Sequence, residues 1–204
     1  MKCAAAREGF ISFHFPHKRK ISQWPKVIIS HPKDISLHNP FFVLYNQFDK
    51  LEFIGLKMKI VEITENKKEY LDLLLLADEQ EDMIDRYLDH GTMYVLDDNG
   101  VKCECVITDE GKGILEIKNI ATAPEYQGKG YAKALIEFLV KEYGEQYSIL
   151  QVGTGDSPLT IPFYEKCGFV RSHIVPNFFT DNYDHPIFEC GVQLVDMVYL
   201  QRPI

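Results

Sequence analysis

Six consecutive residues, Gln127-Gly128-Lys129-Gly130-Tyr131-Ala132, are of the types that grip phosphate. They lie between an alternating apolar run at 114–122 and a run of helical periodicity at 131–143. Two glycines at a strand-to-helix turn leave main-chain N–H groups uncovered by side chains. With the helix N-terminus, those groups form a socket for phosphate oxygens. A protein that seats a pyrophosphate there holds a nucleotide-tethered cofactor. Two common phosphate loops do not fit. A P-loop needs Lys and Ser/Thr after its last glycine, whereas Lys129 precedes Gly130 and no Ser or Thr follows. A dinucleotide fingerprint needs a third small residue where Lys133 stands.

The pattern Q/R-x-x-G-x-G/A is matched in register by Gln127, Gly130 and Ala132. A second segment, Phe163-Tyr164-Glu165-Lys166-Cys167-Gly168-Phe169, sets Gly168 at a helix end that wants positive φ, and then Phe169 to open a strand. On these two motifs residues 58–200 resemble the GNAT superfamily of N-acetyltransferases. The resemblance implies an α/β (α+β) fold with a mixed, mostly antiparallel twisted sheet flanked by helices. It also implies acetyl transfer from acetyl-CoA, the co-substrate, to a primary amine by direct attack, with no acyl-enzyme. Gln127, Gly128, Lys129, Gly130, Tyr131 and Ala132 would hold the pyrophosphate. The backbone of Ile120, Ala121 and Thr122 would bond the pantetheine arm and offer an N–H to the oxyanion. Tyr164 would be the general acid that protonates the leaving thiolate, and Glu116 the general base. Asn119 would support the acceptor site.

Val152-Gly153-Thr154-Gly155-Asp156-Ser157 resembles a segment of a small bacterial subgroup of that superfamily, with Asp156 in place of an asparagine at the pantetheine arm. The tail after the sixth strand resembles the same subgroup. It suggests an acceptor-side loop in which Asp181, Tyr183, His185 and Glu189 line an amine pocket. Two alternatives remain at this point. One is a non-catalytic acyl-CoA-binding module on the same fold, which would release no CoA with any amine. The other is an S-adenosylmethionine methyltransferase built on Val152-Gly153-Thr154-Gly155, although roughly fifty following residues are too few for the further βα units of that fold.

The whole chain of 204 residues has a net charge of −8, unevenly spread. Residues 1–57 carry nine basic and four acidic side chains, and residues 58–204 carry thirteen and twenty-six. An acidic body repels polyanions, so nucleic acid is not an expected partner, and it favours the approach of a cationic amine. The first 57 residues are aromatic, basic and without sustained periodicity; they read as a poorly ordered extension or as sequence upstream of a start at Met58. Five irregularly spaced cysteines with no export signal point to reduced thiols in a cytoplasm. No apolar run approaches a membrane span, and no membrane association is expected. Cys103 and Cys105 lack a second ligand pair, so no metal is expected, and Cys167 reads as core packing. A homodimer is among the expected assemblies.

From 58 onward the periodicity predicts a strand at 59–63, a helix at 67–77 opened by a capping box at Asn66–Glu69, and a helix at 79–89. A hairpin follows around Asp97-Asp98-Asn99-Gly100. Then come the strand 114–122, the helix 131–143, a strand at 147–152, a helix at 163–167, a strand at 169–175 and a last strand at 192–200.

Overall fold

A computed structural model describes residues 58–204; the expectations for residues 1–57 lie outside the described residues. Seven strands form one sheet: β1 Lys59–Ile63, β2 Thr92–Asp97, β3 Val101–Gly111, β4 Ile114–Thr122, β5 Ile149–Gly155, β6 Val170–Val175 and, late in the chain, β9 Met197–Pro203. Their spatial order is β1-β2-β3-β4-β5-β9-β6. Every neighbouring pair is antiparallel except β4 and β5. The last strand therefore inserts between β5 and β6. The remaining short strands, β7 Phe188–Glu189 and β8 Val192–Gln193, make a small hairpin of their own.

Helices cover both faces. Helix α3, Tyr131–Tyr143, buries Leu135, Ile136 and Leu139 on one face against Leu115 and Ile117 of β4 and Leu150 and Val152 of β5. The opposite face carries α1 Leu71–Leu74 and α2 Glu81–Leu88, with Leu73, Leu74, Ile84 and Leu88 packed on Val106 and Ala121. Two short helices complete the fold, α4 Thr160–Lys166 and α5 Phe178–Asn182. A third, small cluster of Phe179, Ile187 and Leu194 holds the segment between β6 and β9 together. No helix of the described residues is long and apolar enough to cross a membrane.

Local signals set most elements, and four details differ from the sequence reading. The predicted helix at 67–77 is a 3-10 turn, Lys67–Tyr70, followed by the single turn of α1. Asn66 has a left-handed backbone, φ 53°, and its side chain caps nothing, so the expected capping box does not form. The 176–190 region, to which the sequence reading assigns no helix or strand, contains α5 and the start of the small hairpin. Val152-Gly153-Thr154-Gly155 runs inside β5 rather than forming a nucleotide loop, and the sheet is mostly antiparallel; the methyltransferase alternative falls on both counts.

One irregularity decides what faces the cleft. The β3–β4 register passes from Val106 opposite Asn119 to Ile107 opposite Ile117, leaving Lys118 as an extra residue. Such a bulge reverses side-chain alternation beyond it. Leu115, Ile117 and Ile120 therefore all pack on the α3 side. Glu116 and Asn119, three apart, share the other face.

Candidate active site

The site begins where β4 and β5 part. They pair in parallel only from Ile114 opposite Ile149 to Ile117 opposite Val152. Beyond that, β4 continues to Thr122 against β3, and β5 continues to Gly155 against β9. The two strands diverge because each follows a different partner. The opening between them is a cleft of about 960 Å³, lined by Ile120, Ala121 and Thr122 from one strand and Gly153, Thr154 and Gly155 from the other.

At one end of the cleft lies the glycine turn. Gly128 and Gly130 have φ of 72° and 88°, conformations that side chains rarely tolerate. Gly130 is the N-cap of α3, and no side chain caps that helix. A Cβ built on Gly130 would meet nothing within 4 Å, so the space before the helix N-terminus is open. Free first-turn N–H groups at the positive end of a thirteen-residue helix suit a pyrophosphate. This turn and the parted strands fit acetyl-CoA: the N–H groups at the start of α3 would hold its phosphates and the backbone of 120–122 its pantetheine arm.

The side chains of the turn have partners within the protein. Gln127 folds back, its amide donating to the Thr122 carbonyl at 3.2 Å, and so ties the turn to the end of β4. The Tyr131 hydroxyl donates to Asp98 at 2.6 Å. The Lys129 ammonium lies 5.0 Å from the centre of the Tyr126 ring.

Tyr164 sits mid-cleft on α4. Leu159 is the N-cap, and Pro162 falls in the first turn, where its missing N–H is harmless. The Tyr164 ring is held edge-on by Phe163 and Phe169, at centroid distances of 5.1 and 5.7 Å. Burial pushes its hydroxyl pKa up, so it carries a proton throughout the neutral range. Cys103 and Cys105 are buried in the same core and their thiols are likewise raised by burial, which leaves them inert.

Glu116 also lines the cleft, within a polar chain across the sheet. Its Oε1 accepts from Lys118 at 2.8 Å and its Oε2 from Gln151 at 2.7 Å. Gln151 in turn accepts from Gln201 at 2.7 Å. Burial alone would lower the Lys118 pKa, but Glu116 and Glu110 hold it above its ordinary value.

The acceptor end is closed by the segment between β6 and β9, docked on the loop that joins α1 and α2. The Tyr183 hydroxyl donates to Asp78 at 3.0 Å, Arg86 donates to Asn182 at 3.0 Å, and the Asp184 N–H donates to Gln80 at 3.2 Å. Of the residues expected in an amine pocket, Tyr183 and Glu189 line the cleft. Burial raises the Glu189 carboxyl, and its Oε2 is buried without a partner. Three expected residues stand elsewhere. Asp181 is exposed on α5, and His185 pairs with Asp184 and Glu79 at the surface. Asp156 is exposed and bonded to Arg171 at 3.1 Å, outside the lining of the cleft. Two cleft residues were missed by the sequence reading. Asp78 lies in an interhelical loop with no motif, and Tyr87 reads as an ordinary member of an apolar helix face. Among the described residues no group of three or more His, Cys, Asp and Glu could hold a metal.

The glycines of β5 have a packing reason. A Cβ on Gly155 would lie 2.5 Å from Leu194 Cδ1, and one on Gly153 2.5 Å from Met197 Sδ. Gly155→Ala is expected to destabilise the fold by about 1–3 kcal/mol through overpacking. A thermal melt checks this; an unchanged midpoint would mean that Leu194 yields freely.

A sheet whose parallel strands part beside an uncapped helix N-terminus has the two features that binding of CoA requires, a slot for an extended arm and a seat for phosphate. A family model of the acetyltransferase (GNAT) domain matches residues 89–171. The uncharacterized N-acetyltransferase YvbK of Bacillus subtilis is 35% identical over 147 residues, covering 71% of this chain and 95% of that protein. A crystal structure of a GNAT family acetyltransferase from Elizabethkingia anophelis with acetyl-CoA bound is similar at 34% identity and a TM-score of 0.68, covering 72% of this chain and 98% of that one. A Bacillus subtilis acetyltransferase in complex with CoA gives 34% identity and a TM-score of 0.67 over 72% and 99% of the two chains. The chain belongs to the GNAT acetyltransferase family. It is an acetyl-CoA-dependent N-acetyltransferase and acts on an amine acceptor.

Proposed function

We propose that the enzyme acetylates the primary amine of a small cationic acceptor, by direct attack of the neutral amine on the thioester. Acetyl-CoA would supply the activated acetyl group. The acidic lining of the acceptor end carries this reading: Asp78, Glu79 and Glu189 face a cleft whose other end suits phosphates. That polarity draws an anionic co-substrate to one end and an ammonium group to the other. Tyr164, which lines the cleft, would protonate the departing thiolate. Main-chain N–H groups near Ile120 would meet the oxyanion. Glu116, the base implied by the resemblance, stands on the cleft face of β4 and would have to part from Lys118 to take a proton.

A thermal-shift comparison tests the first half. CoA is expected to raise the melting midpoint by several degrees at about a hundredfold excess over its Kd, and S-adenosylmethionine to leave it unchanged. Thiol release from acetyl-CoA with a panel of amines tests the second half. A protein that binds CoA yet releases none with any amine would be a binding module instead.

A further inference from the structure

The cleft holds a second carboxylate in a different state from Glu116. Asp78 lies at the acceptor end and is half-buried. Its Oδ1 accepts from the Tyr183 hydroxyl at 3.0 Å and its Oδ2 from the Tyr87 hydroxyl at 3.5 Å. Among the described residues it forms no ion pair, whereas both oxygens of Glu116 are engaged, one of them by an ammonium. The Gln80 backbone N–H also donates to Oδ1, at 3.4 Å. A carboxylate whose donors are two hydroxyls and one amide, all neutral, still has its charge to satisfy.

The same tyrosine connects Asp78 to the reacting strand. Asn119 Nδ2 donates to the Tyr87 hydroxyl at 2.8 Å and to the Leu74 carbonyl at 3.0 Å. These two bonds fix which way the amide faces. Its Oδ1 is consequently an acceptor without a partner, on a residue only 2% exposed that lines the cleft. Asn119 immediately precedes Ile120, where the thioester is expected. A buried amide oxygen lacking a donor and a carboxylate lacking a cation have one ligand chemistry in common, a group with several N–H donors and a positive charge. A primary ammonium has three such donors and one charge.

We propose that Asp78 and Asn119 Oδ1 seat the ammonium group of the acceptor, and that Asp78 takes its proton before attack. This rests on the amine-acetylation reading above. The acceptor enters as a primary ammonium ion on an apolar body, which Met83, Phe178, Phe179 and Ile187 flank in the cleft. Burial pushes the Asp78 carboxyl up, opposed less strongly by the Tyr183 hydroxyl, the Gln80 backbone N–H and the Tyr87 hydroxyl, and the same apolar surroundings lower an ammonium. The two therefore approach each other in basicity. The ammonium gives one proton to Asp78. The freed lone pair forms the C–N bond, the C–S bond breaks, and the sulfur takes the Tyr164 proton. Nitrogen loses its second proton to solvent, which also restores Tyr164 and Asp78. One ammonium and one acetyl-CoA thus yield an acetamide, free CoA and one proton. The charged and titratable groups around Asp78 are Tyr87 and Asp82 from α2 and Tyr183 from the docked segment, with Arg86 and Glu79 acting on Tyr183.

The test uses the full chain saturated with CoA and titrated calorimetrically with 2-phenylethylamine. Asp78→Asn keeps the shape and can still accept from a tyrosine, so it should fold. It is expected to weaken amine binding about tenfold or more. Asp89→Asn, which removes an exposed carboxylate of α2's end, leaves binding unchanged. With the same amine and acetyl-CoA, the acid limb of kcat/KM should be lost or moved in Asp78→Asn and retained in Glu116→Gln. Equal amine affinity in wild type and Asp78→Asn overturns the proposal, as does an acid limb that moves with Glu116 alone. If no amine releases CoA from acetyl-CoA, amine acetylation itself falls; if CoA is released and Asp78→Asn is unaffected, only the role of Asp78 falls.

Discussion

Tyr164→Phe lowers kcat by about a hundredfold or more and leaves CoA affinity within about twofold of the parent. The size follows from what a positioned proton donor contributes, about 10²–10⁴ in rate. The selectivity follows from packing. The ring is held by Phe163 and Phe169, both edge-on, and phenylalanine preserves those contacts. Among the described residues the hydroxyl makes no hydrogen bond, so its removal orphans no partner and leaves the fold intact. Because burial raises its pKa, the hydroxyl keeps its proton across the neutral range and can deliver it to sulfur. Steady-state thiol release and calorimetric titration with CoA separate the two effects. Unchanged turnover would remove Tyr164 from the mechanism, and a parallel loss of CoA affinity would make it a binding residue.

Glu104→Gln stabilises the protein increasingly as pH rises. Glu104 is fully buried on β3, and neither carboxyl oxygen forms a hydrogen bond of ordinary geometry. Burial, only partly offset by the Ala121 backbone amide, pushes its pKa well above the usual carboxylate range. Above the unfolded value of about 4.3 the unfolded chain has released this proton while the folded protein still holds it. The folded state then binds more protons, and wild-type stability falls by about 1.4 kcal/mol per pH unit until the folded pKa is reached. Glutamine has the same shape and does not titrate, so the variant should lack this slope. Denaturant melts at pH 5, 6 and 7 measure it, and stability curves that stay parallel would show Glu104 to be ionised in the fold.

The glycine turn, Tyr164 and the strand carrying Glu116 were legible because each is encoded within a short window. The run at 114–122 became β4 with those bounds, and the run at 131–143 became α3. Where local signals misled, longer-range packing was the cause. Asn66 and Glu69 have the right types for a capping box, yet Asn66 takes a left-handed turn and the chain makes a 3-10 turn that brings Lys67 to the carbonyls of Leu88 and Gly91. Asp156 had a motif position but found Arg171.

Residue types and spacing alone determined the family resemblance, the glycine turn and the order of the main elements, since hydrophobic period, glycine placement and turn chemistry act between near neighbours. Only the tertiary structure decided that β4 and β5 part, because each strand's far half chooses a different partner and β9 arrives from the end of the chain to hold β5. It alone placed Asn119 beside Glu116, through one extra residue at Lys118. It also joined Asp78 to Tyr183 across 105 residues. Contacts of that separation leave no local periodicity, and a lone aspartate in a loop carries no mark of the hydroxyls it will meet.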